Sequence, residues 1–357
     1  MRIVAATVYG TIGGSTKVLL AAAEALRRDH TVVVRAPLRQ ADSVMPRPLP
    51  SDTLETVLQK IKVIPKLISV FATELFWVRA NRPDVLYVHD ELSLYVYGTI
   101  SRLFRLPLIW HVNMREGTGL VRRLRDGLCD AKIFVSRFMV GDGQRKRWIV
   151  IRNAVEPPTR LASQPQPVFT VGMIASISKI KNQELGIRVI AELRNSGKPA
   201  RLLIYGDTLD AEYRVRVENL IRQLALNEMV VLRGFVPLQE ALSEIDMLLA
   251  CSTYESFGLA TVEALASGIP VVASDIESHR EIAAILQTEA LVLAPLQPAA
   301  MAAAIMVAEP DKNARQRVAA EFGEARFAAA IREFFRNSVE AAGGQTIALD
   351  RPKQLEF

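Results

Sequence analysis

The chain has 357 residues, of which 50% are hydrophobic and 23% are charged, with a formal net charge of +6. This composition excludes a disordered or fibrous protein and favours a globular α/β protein, whose length suggests two domains. Cys129 and Cys251 lie too far apart for a disulfide framework or metal knuckle, so we expect a cytoplasmic protein. The apolar start, Met1 to Ala6, ends at polar Thr7 and predicts a buried strand rather than a signal peptide.

Short apolar segments alternate with helical patterns over residues 1–156. Helical periodicity is present at Leu19–Arg28, Thr53–Ala80 and Leu92–Phe104. The alternation is the βαβ pattern of a parallel, doubly wound sheet, and it predicts a Rossmann-like first domain. The predicted strands are Ile3–Ala6, Thr31–Arg35, Val85–His89, Leu108–His111, Lys132–Val135 and Trp148–Ile151.

A proline-rich, polar stretch at 157–167 predicts a linker, and a second alternating series follows it over residues 168–342. The fold class expected is therefore α/β with two Rossmann-like domains, and ligands should bind where the carboxyl ends of the strands face a cleft. The last helical pattern, Asp311 to Ala341, could pack on either domain, and 343–357 is predicted to be a tail. The predicted strands of this half are Phe169–Ile174, Arg201–Tyr205, Val230–Arg233, Met247–Ala250, Pro270–Ala273 and Leu291–Leu293; its predicted helices are Gln183–Arg194, Tyr213–Leu224, Leu238–Ser243 and Ala260–Ser267.

The most informative run extends from Tyr254 to Ala264 and has a glutamate near each end, Glu255 and Glu263. Its Phe-Gly pair precedes a helical pattern, and a loop that opens a helix offers free N–H groups and a positive dipole end to a phosphate. The flanking carboxylates can accept hydrogen bonds from hydroxyl groups. A pyrophosphate beside hydroxyl groups describes a nucleotide sugar; otherwise the two glutamates are a helix cap and a surface residue.

This run, with the following Ser267-Gly268-Ile269-Pro270-Val271-Val272, resembles the Glu-x7-Glu signature of retaining family 4 glycosyltransferases, which have the GT-B architecture. The resemblance implies that Glu263 accepts hydrogen bonds from the donor ribose and that Glu255 holds hydroxyls of the transferred sugar. It also implies that backbone N–H groups contact the sugar and the diphosphate; they are those of Phe257, Gly258 and Leu259.

The strand-end segment Val171 to Asn182 resembles the part of the family that grips the donor pyrophosphate with an arginine and a later lysine. Lys181 matches the lysine, while Ser176 stands in place of the arginine and offers a hydroxyl without charge. Lys179 is the cation nearest in sequence that could compensate. A further segment, Asp275 to Glu281, stands where the family has a glycine-rich loop, but its glycines are absent.

Two further turns resemble donor-binding segments of the family. After the first strand, Gly13 and Gly14 would let the backbone approach the donor phosphate and the acceptor; this turn lacks the Gly-x-Gly-x-x-Gly spacing of NAD-binding proteins. After a later strand, Gly234, Phe235 and Val236 would line the nucleotide base. The alternative for this second segment is an ordinary strand end.

His111 lies at the end of a predicted strand, and the family has a histidine here that contacts the donor sugar near the reacting carbon. The position favours a functional histidine over one that is merely packed in the core. Asp90, at the end of another predicted strand, and Asn113, two residues after His111, are weaker candidates. The resemblance thus implies catalytic roles for His111, Lys181 and Glu255.

Basic residues cluster in three places, and the ordinary interpretation of each cluster is a solvated surface. The functional interpretation is an anionic membrane or a phosphate-bearing acceptor, so we expect a cytoplasmic protein peripheral to the inner face of the membrane. Nucleic acid is not expected, because no aromatic residues alternate with the basic ones. The clusters are Lys60, Lys62 and Lys66; Arg122, Arg123 and Arg125; and Arg145, Lys146 and Arg147.

Taken together, these features predict a retaining hexosyltransferase that moves sugar from a UDP- or GDP-sugar to a saccharide or lipid-linked acceptor. Neither an Asp-x-Asp motif nor a His/Cys cluster is present in the sequence, so no metal or other cofactor is expected. The acceptor would be chosen by loops near Gly10–Ser15, Val57–Val70 and Met114–Arg125. Two alternatives remain open: a nucleotide-sugar-binding module without activity, and a sugar-nucleotide epimerase on the same scaffold.

Overall fold

The structure is a computed structural model that describes residues 1–8, 14–37, 54–142, 144, 146–156 and 168–340. Gly13, Arg145, the predicted linker at 157–167 and the predicted tail at 343–357 lie outside the described residues, as do the side chains of Lys60, Lys62 and Lys66. The chain divides into two compact units. Unit 1 comprises Met1–Ala154 and Glu324–Phe357, and unit 2 comprises Val155–Gly323.

Unit 1 is built on a parallel sheet of six strands in the order β2-β1-β3-β4-β5-β6. All six predicted strands are present, with ends that differ from the prediction by at most one residue. The elements of unit 1 in chain order are β1 (Arg2–Ala6), α1 (Gly14–Arg27), β2 (Thr31–Arg35), α2 (Leu54–Asn81), β3 (Val85–Val88), α3 (Glu91–Phe104), β4 (Leu108–Val112), α4 (Gly119–Leu128), β5 (Ala131–Phe134) and β6 (Arg147–Val150), with α12 (Glu324–Glu340) from the end of the chain.

Both faces of the centre of this sheet are buried, which explains why β3 and the residues of β1 after Arg2 are apolar without interruption. Ile3 and Ala5 belong to the core on the side of α1 and α12, whereas Val4 and Ala6 belong to the core on the side of α2 and α3. Successive side chains of a strand point to opposite faces, so one apolar run serves both cores.

Unit 2 repeats the architecture with a parallel sheet in the order β12-β11-β10-β7-β8-β9. The predicted fold class, two Rossmann-like parallel sheets, is therefore confirmed. The elements of unit 2 are β7 (Thr170–Ile174), α5 (Gln183–Asn195), β8 (Arg201–Tyr205), α6 (Ala211–Gln223), β9 (Val230–Gly234), α7 (Leu238–Ser243), β10 (Met247–Ala250), α8 (Leu259–Ala266), β11 (Val271–Ser274), α9 (Glu277–Leu286), β12 (Leu291–Ala294), α10 (Pro298–Ile305) and α11 (Ala314–Phe322).

The single helical pattern predicted from Asp311 to Ala341 is wrong, because the chain forms two helices there. Gly323 lies between α11 and α12 in an extended conformation, and a Cβ at this position would stand 2.2 Å from the carbonyl oxygen of Ala319. The break sends α12 to unit 1, where it packs on α1 and where Arg147 donates a 2.8 Å hydrogen bond to the carbonyl of Asn337.

Within the described residues, three α-helices are not predicted by the sequence pattern: α4, α9 and α10. The prediction of a loop at Met114–Arg125 is wrong, because helix α4 begins at Gly119. In the segment Asp275–Glu281, which stands where the resembling family has a glycine-rich loop, helix α9 begins at Glu277. Within the described ranges, no helix combines the length and apolar character needed to cross a membrane.

Candidate functional site

The predicted donor residues of unit 2 lie where the order of the strands reverses. From β7 the chain proceeds to β8 and β9 on one side, and β10 then starts the other half of the sheet, next to β7. The loops after β7 and β10 therefore lie at the carboxyl ends of two neighbouring strands at the reversal point, which is where open α/β sheets bind ligands. A 2.8 Å hydrogen bond from the Thr253 N–H to the Ile180 carbonyl ties the two loops together.

Lys181 and Glu255, one from each loop, form an ion pair at this point. Lys181 Nζ lies 2.5 Å from Glu255 Oε1, and the Ser252 hydroxyl donates to the same oxygen at 2.7 Å. Both charged side chains are partly exposed to solvent. An ammonium has three donors and a carboxylate has two acceptor oxygens, so each can hold the other and still contact a ligand. The sequence predicted both residues, and the structure places them together.

The start of helix α8 borders the same loop. Gly258 has φ 100° and caps the helix, and Phe257 before it is buried against Phe322 with 5.5 Å between the ring centroids. The first N–H groups of the helix, from Leu259 onward, have no acceptor within the helix and carry its positive dipole end. Glu263, one turn further along, is partly buried.

His279, which the sequence pattern did not single out, lies directly beside Gly258. Its Nδ1 is 2.9 Å from the Ser274 carbonyl oxygen, and its Nε2 is 3.4 Å from the Thr261 hydroxyl of α8. The ring is fully buried, and burial lowers the pKa of His279, which keeps it neutral. The imidazole thus connects the end of β11 to the first turn of α8. The sequence signal was a histidine shortly after a buried strand, within the segment that stands where the resembling family has a glycine-rich loop.

Ser176 lies in the loop after β7, and Gln183 braces this loop. The Gln183 amide donates to the Ser176 carbonyl at 3.0 Å and accepts from the Ser178 N–H at 3.3 Å, and its side chain is fully buried. The Ser176 side chain supplies no charge, while Lys179 is exposed. Gln183 is a second residue that the sequence did not reveal, because a glutamine that starts a helix gives no distinctive pattern.

The segment predicted to line the base is connected to the same strand ends through Gly206. The Gly206 N–H donates to the Gly234 carbonyl at 2.7 Å. Gly206 has φ 134°, and a Cβ there would lie 2.3 Å from the Ala175 carbonyl oxygen, so only glycine fits. The loops after β7, β8 and β9 are therefore in backbone contact. Phe235 is 70% exposed beside them, and Val236 is partly buried.

In unit 1, His111 is fully buried in β4. Its Nδ1 lies 2.6 Å from the Tyr87 hydroxyl, and burial, followed by the neighbouring His89, lowers the pKa of His111 to about 3. If Tyr87 donates to Nδ1, the neutral ring carries its proton on Nε2, and this atom has no hydrogen-bond partner among the described residues. Such an N–H is suited to a ligand oxygen. Its contact with a sugar stays a prediction.

The other unit 1 candidates have structural partners. Asp90 caps helix α3 by accepting from the Ser93 N–H at 2.8 Å, and the Asn113 amide donates to the His89 carbonyl at 3.0 Å. Gly14 is the exposed first residue of α1. Over the part of the chain that is described, no three His, Cys, Asp or Glu side chains come together as a metal site.

Comparison with known families tests the resemblance stated above. The model of glycosyl transferases group 1 matches residues 162–322, which contain the Lys181 and Glu255 loops. Residues 162–322 therefore belong to the group 1 glycosyl transferases. Its structure is also similar to that of Anabaena HepE in complex with UDP-glucose, with a TM-score of 0.76 and 20% identity over 94% of this chain and 100% of that one. This likeness confirms the predicted GT-B fold class.

Two curated members of the family align over shorter stretches. The 2-deoxystreptamine glucosyltransferase of Streptomyces kanamyceticus is 29% identical over 106 residues, which are 29% of this chain and 27% of the relative. The GDP-mannose-dependent alpha-(1-6)-phosphatidylinositol dimannoside mannosyltransferase of Mycobacterium tuberculosis is 30% identical over 146 residues, which are 39% of this chain and 36% of the relative. The matched part of this chain therefore spans less than two fifths of either relative's length.

Proposed function

We propose that the protein transfers a hexose, with retention, from a nucleoside diphosphate sugar to a saccharide or lipid-linked acceptor, in the synthesis of a cell-envelope polysaccharide or glycolipid. The observation that carries this proposal is the Lys181–Glu255 pair at the strand-order reversal of unit 2, beside the start of α8. The names of the relatives support it, since they include a glucosyltransferase, a GDP-mannose-dependent mannosyltransferase and a protein bound to UDP-glucose.

In this proposal, charged side chains and backbone N–H groups of the site bind different parts of the donor. Lys181 and the N–H groups at Gly258 and Leu259 hold the diphosphate, Glu263 holds the ribose, and Phe257 contributes its N–H beside them. Glu255 accepts hydrogen bonds from the sugar, His111 approaches the reacting carbon, and Gly13 and Gly14 approach the phosphate. The base lies against Gly234, Phe235 and Val236, while the Ser176 hydroxyl donates to phosphate.

The reaction proposed is a front-face displacement. An acceptor hydroxyl oxygen forms a bond to the anomeric carbon while the bond from that carbon to the phosphate oxygen breaks. The hydroxyl proton passes to the departing phosphate oxygen, so no protein nucleophile is required. The negative charge that develops on the diphosphate is stabilised by Lys181 and by the fixed N–H dipoles of α8, which need little reorganisation.

The first test separates phosphate binding from sugar binding. We expect Lys181→Ala to weaken binding of UDP or GDP by about tenfold to a hundredfold, because a charge-assisted hydrogen bond is lost. Glu255→Gln should keep nucleotide binding but lose turnover with the cognate donor. Titration calorimetry and product analysis measure the two effects. Lys198→Ala, an exposed lysine before β8 at the opposite end of the strands, is the matched control.

The second test concerns the ribose contact. Glu263→Ala should abolish turnover through lost donor binding, whereas Glu228→Ala, an exposed glutamate before β9, should not. A thermal-shift screen of UDP- and GDP-sugars selects the donor beforehand, because a specific ligand stabilises the folded protein. Full transferase activity of the Glu263→Ala variant would refute the assignment of the site.

Ser176 favours a second candidate, a module that binds a nucleotide sugar without transferring it. A neutral hydroxyl replaces a guanidinium at the diphosphate, which removes one of the charges that would stabilise the leaving group. Under this candidate the wild-type chain binds UDP or GDP, yet neither transfers nor hydrolyses any donor, and Ser176→Arg raises activity. The third alternative, an epimerase, would convert the donor sugar without any acceptor.

A further inference from the structure

Helix α4 of unit 1 is oriented in the opposite way to an ordinary surface helix. Leu120, Val121 and Leu124 are 70%, 46% and 60% exposed, whereas Arg125 and Asp126, on the other side of the helix, are 7% and 6% exposed. A surface helix normally buries its apolar stripe and exposes its charges. The reversed orientation of α4 therefore needs a physical cause.

The cause is a buried ionic cluster under the helix. Lys132 of β5 is fully buried, lies 2.5 Å from Asp126 Oδ1 and forms a second ion pair with Glu116. Arg125 forms an ion pair with Glu91 and donates to the Glu116 carbonyl. Breaking a buried ion pair is strongly destabilising, because it leaves an uncompensated charge. Turning α4 over would separate Lys132 from Asp126, so the cluster holds the leucines outward.

The exposed side of α4 is both apolar and cationic. Met114, just before the helix, is 61% exposed and extends the apolar area. Between residues 114 and 124 the exposed charged residues are Arg115 and Arg123, and both are positive. The arginine cluster in the sequence is thus divided: Arg123 faces outward, while Arg122 donates to the Asp142 carbonyl at 2.7 Å. We name as the α4 surface the residues Met114, Arg115, Leu120, Val121, Arg123 and Leu124.

We propose that the α4 surface docks on an anionic lipid bilayer. Helix α4 has ten residues and is about 15 Å long, so it can lie in the plane of the interface. Its leucines would enter the boundary between headgroups and acyl chains, while the two guanidinium groups would meet lipid phosphates. A second copy of the chain fits less well, because a two-fold axis would bring this cationic surface against itself. This proposal rests on the α4 surface alone and not on the proposed sugar transfer.

Flotation with vesicles tests this proposal. We expect the wild-type protein to float with vesicles of phosphatidylcholine and phosphatidylglycerol, to float less as salt is added, and to float poorly with phosphatidylcholine alone. The variant Leu120→Gln/Leu124→Gln should partition about tenfold less at every salt concentration, because the apolar contact is lost. Leu20→Gln, which alters an exposed leucine of α1, is the matched control and should float like the wild type.

A second variant separates the electrostatic contribution from the apolar one. Arg123→Gln should reduce partitioning about fivefold at low salt and also reduce its salt dependence, since one cation near an anionic surface is lost. Tryptophan fluorescence checks that each variant is folded. No preference for phosphatidylglycerol, or a double variant that floats like the wild type, would overturn the proposal. The proposal would also fail if the wild-type protein formed a dimer and did not float, while the double variant was a monomer. That result would assign the α4 surface to contact with a second copy of the chain.

Discussion

A side chain at position 258 would meet two neighbours at once. A Cβ on Gly258 would stand 3.2 Å from Ile282 Cδ1 and 3.3 Å from His279 Cδ2, and the φ of 100° is one that other residues rarely adopt. The glycine therefore lets α8 begin close to His279, and the hydrogen bonds of that histidine fix the first turn of the helix. The candidate diphosphate contacts depend on this backbone geometry.

We predict that Gly258→Ala lowers both the stability of unit 2 and the affinity for the nucleoside diphosphate. Strain at a positive φ costs about 1–3 kcal/mol, and the contact with His279 displaces the first N–H groups of α8 in addition. Gly197→Ala is the control, because Gly197 also has a positive φ, 72°, but a Cβ there would meet nothing within 4 Å. Urea unfolding and UDP or GDP titration measure the two effects; equal loss of affinity in both variants would contradict the prediction.

Histidine burial in unit 1 predicts a dependence of stability on pH. The pKa of His111 is about 3 in the folded protein, compared with about 6.5 in an unfolded chain. The unfolded state thus binds more protons between these values. The contribution of His111 is fully present above about pH 6.5 and decreases by about 1.4 kcal/mol for each pH unit as the pH falls toward 3.

This dependence can be measured in unit 1 alone, because the three tryptophans, Trp77, Trp110 and Trp148, all lie there. Urea unfolding is followed by tryptophan fluorescence at several pH values between about 7.5 and about 4.5, where the unfolded histidine gains its proton. The slope of the unfolding free energy against pH should be smaller in His111→Gln than in the wild type. His279→Gln, which alters a buried histidine of unit 2, should leave the slope unchanged. Identical slopes for His111→Gln and the wild type would show that the histidine is not held neutral.

At the scale of elements, the sequence predicted the strands better than the helices. Strands that are largely buried appear as short apolar runs, so all twelve strands of the described residues were predicted to within one residue at each end. Helix α4 was not predicted, because two glycines at its start, Gly117 and Gly119, suggest a loop. Its leucines and charges do have the amphipathic period of a helix, but the leucines face outward and the charges inward. Only the buried partner Lys132, a residue of a later strand, explains how that helix is oriented.

The candidate site shows the same division between local and long-range information. Lys181 and Glu255 could be predicted because each belongs to a motif, yet their 2.5 Å contact depends on β7 and β10 being neighbours. His279, Gln183 and Gly206 could not be predicted, since no motif marks them and their roles depend on hydrogen bonds that exist only in the folded chain. A sequence read residue by residue does not show which strand ends are adjacent.

At the scale of the whole molecule, unit 1 is discontinuous in sequence, and its core is completed by the last helix. Phe327, Ile331, Phe334 and Phe335 of α12 are buried in the core that contains α1. Phe335 packs edge-on against Tyr87 with 5.4 Å between the ring centroids, and Tyr87 in turn contacts His111. Residues more than two hundred positions apart therefore support the same histidine. Unit 2 has a core of its own, in which α12 takes no part.

We predict that a chain ending at Gly323 loses the fold of unit 1 but keeps that of unit 2. Four large apolar side chains leave the core of unit 1, each contributing about 1.5–3 kcal/mol, and the sum approaches the total stability of a typical domain. Hydrogen exchange should show rapid exchange over residues 1–154 and protection over residues 168–322. A chain ending at Glu340, which keeps all of α12, is the control. Phe335→Ala removes only one of these side chains. It should lower the free energy of unfolding of unit 1, followed by tryptophan fluorescence, by about 3–5 kcal/mol. Protection of β1 and β3 in the chain that ends at Gly323 would show that the core of unit 1 is stable without α12.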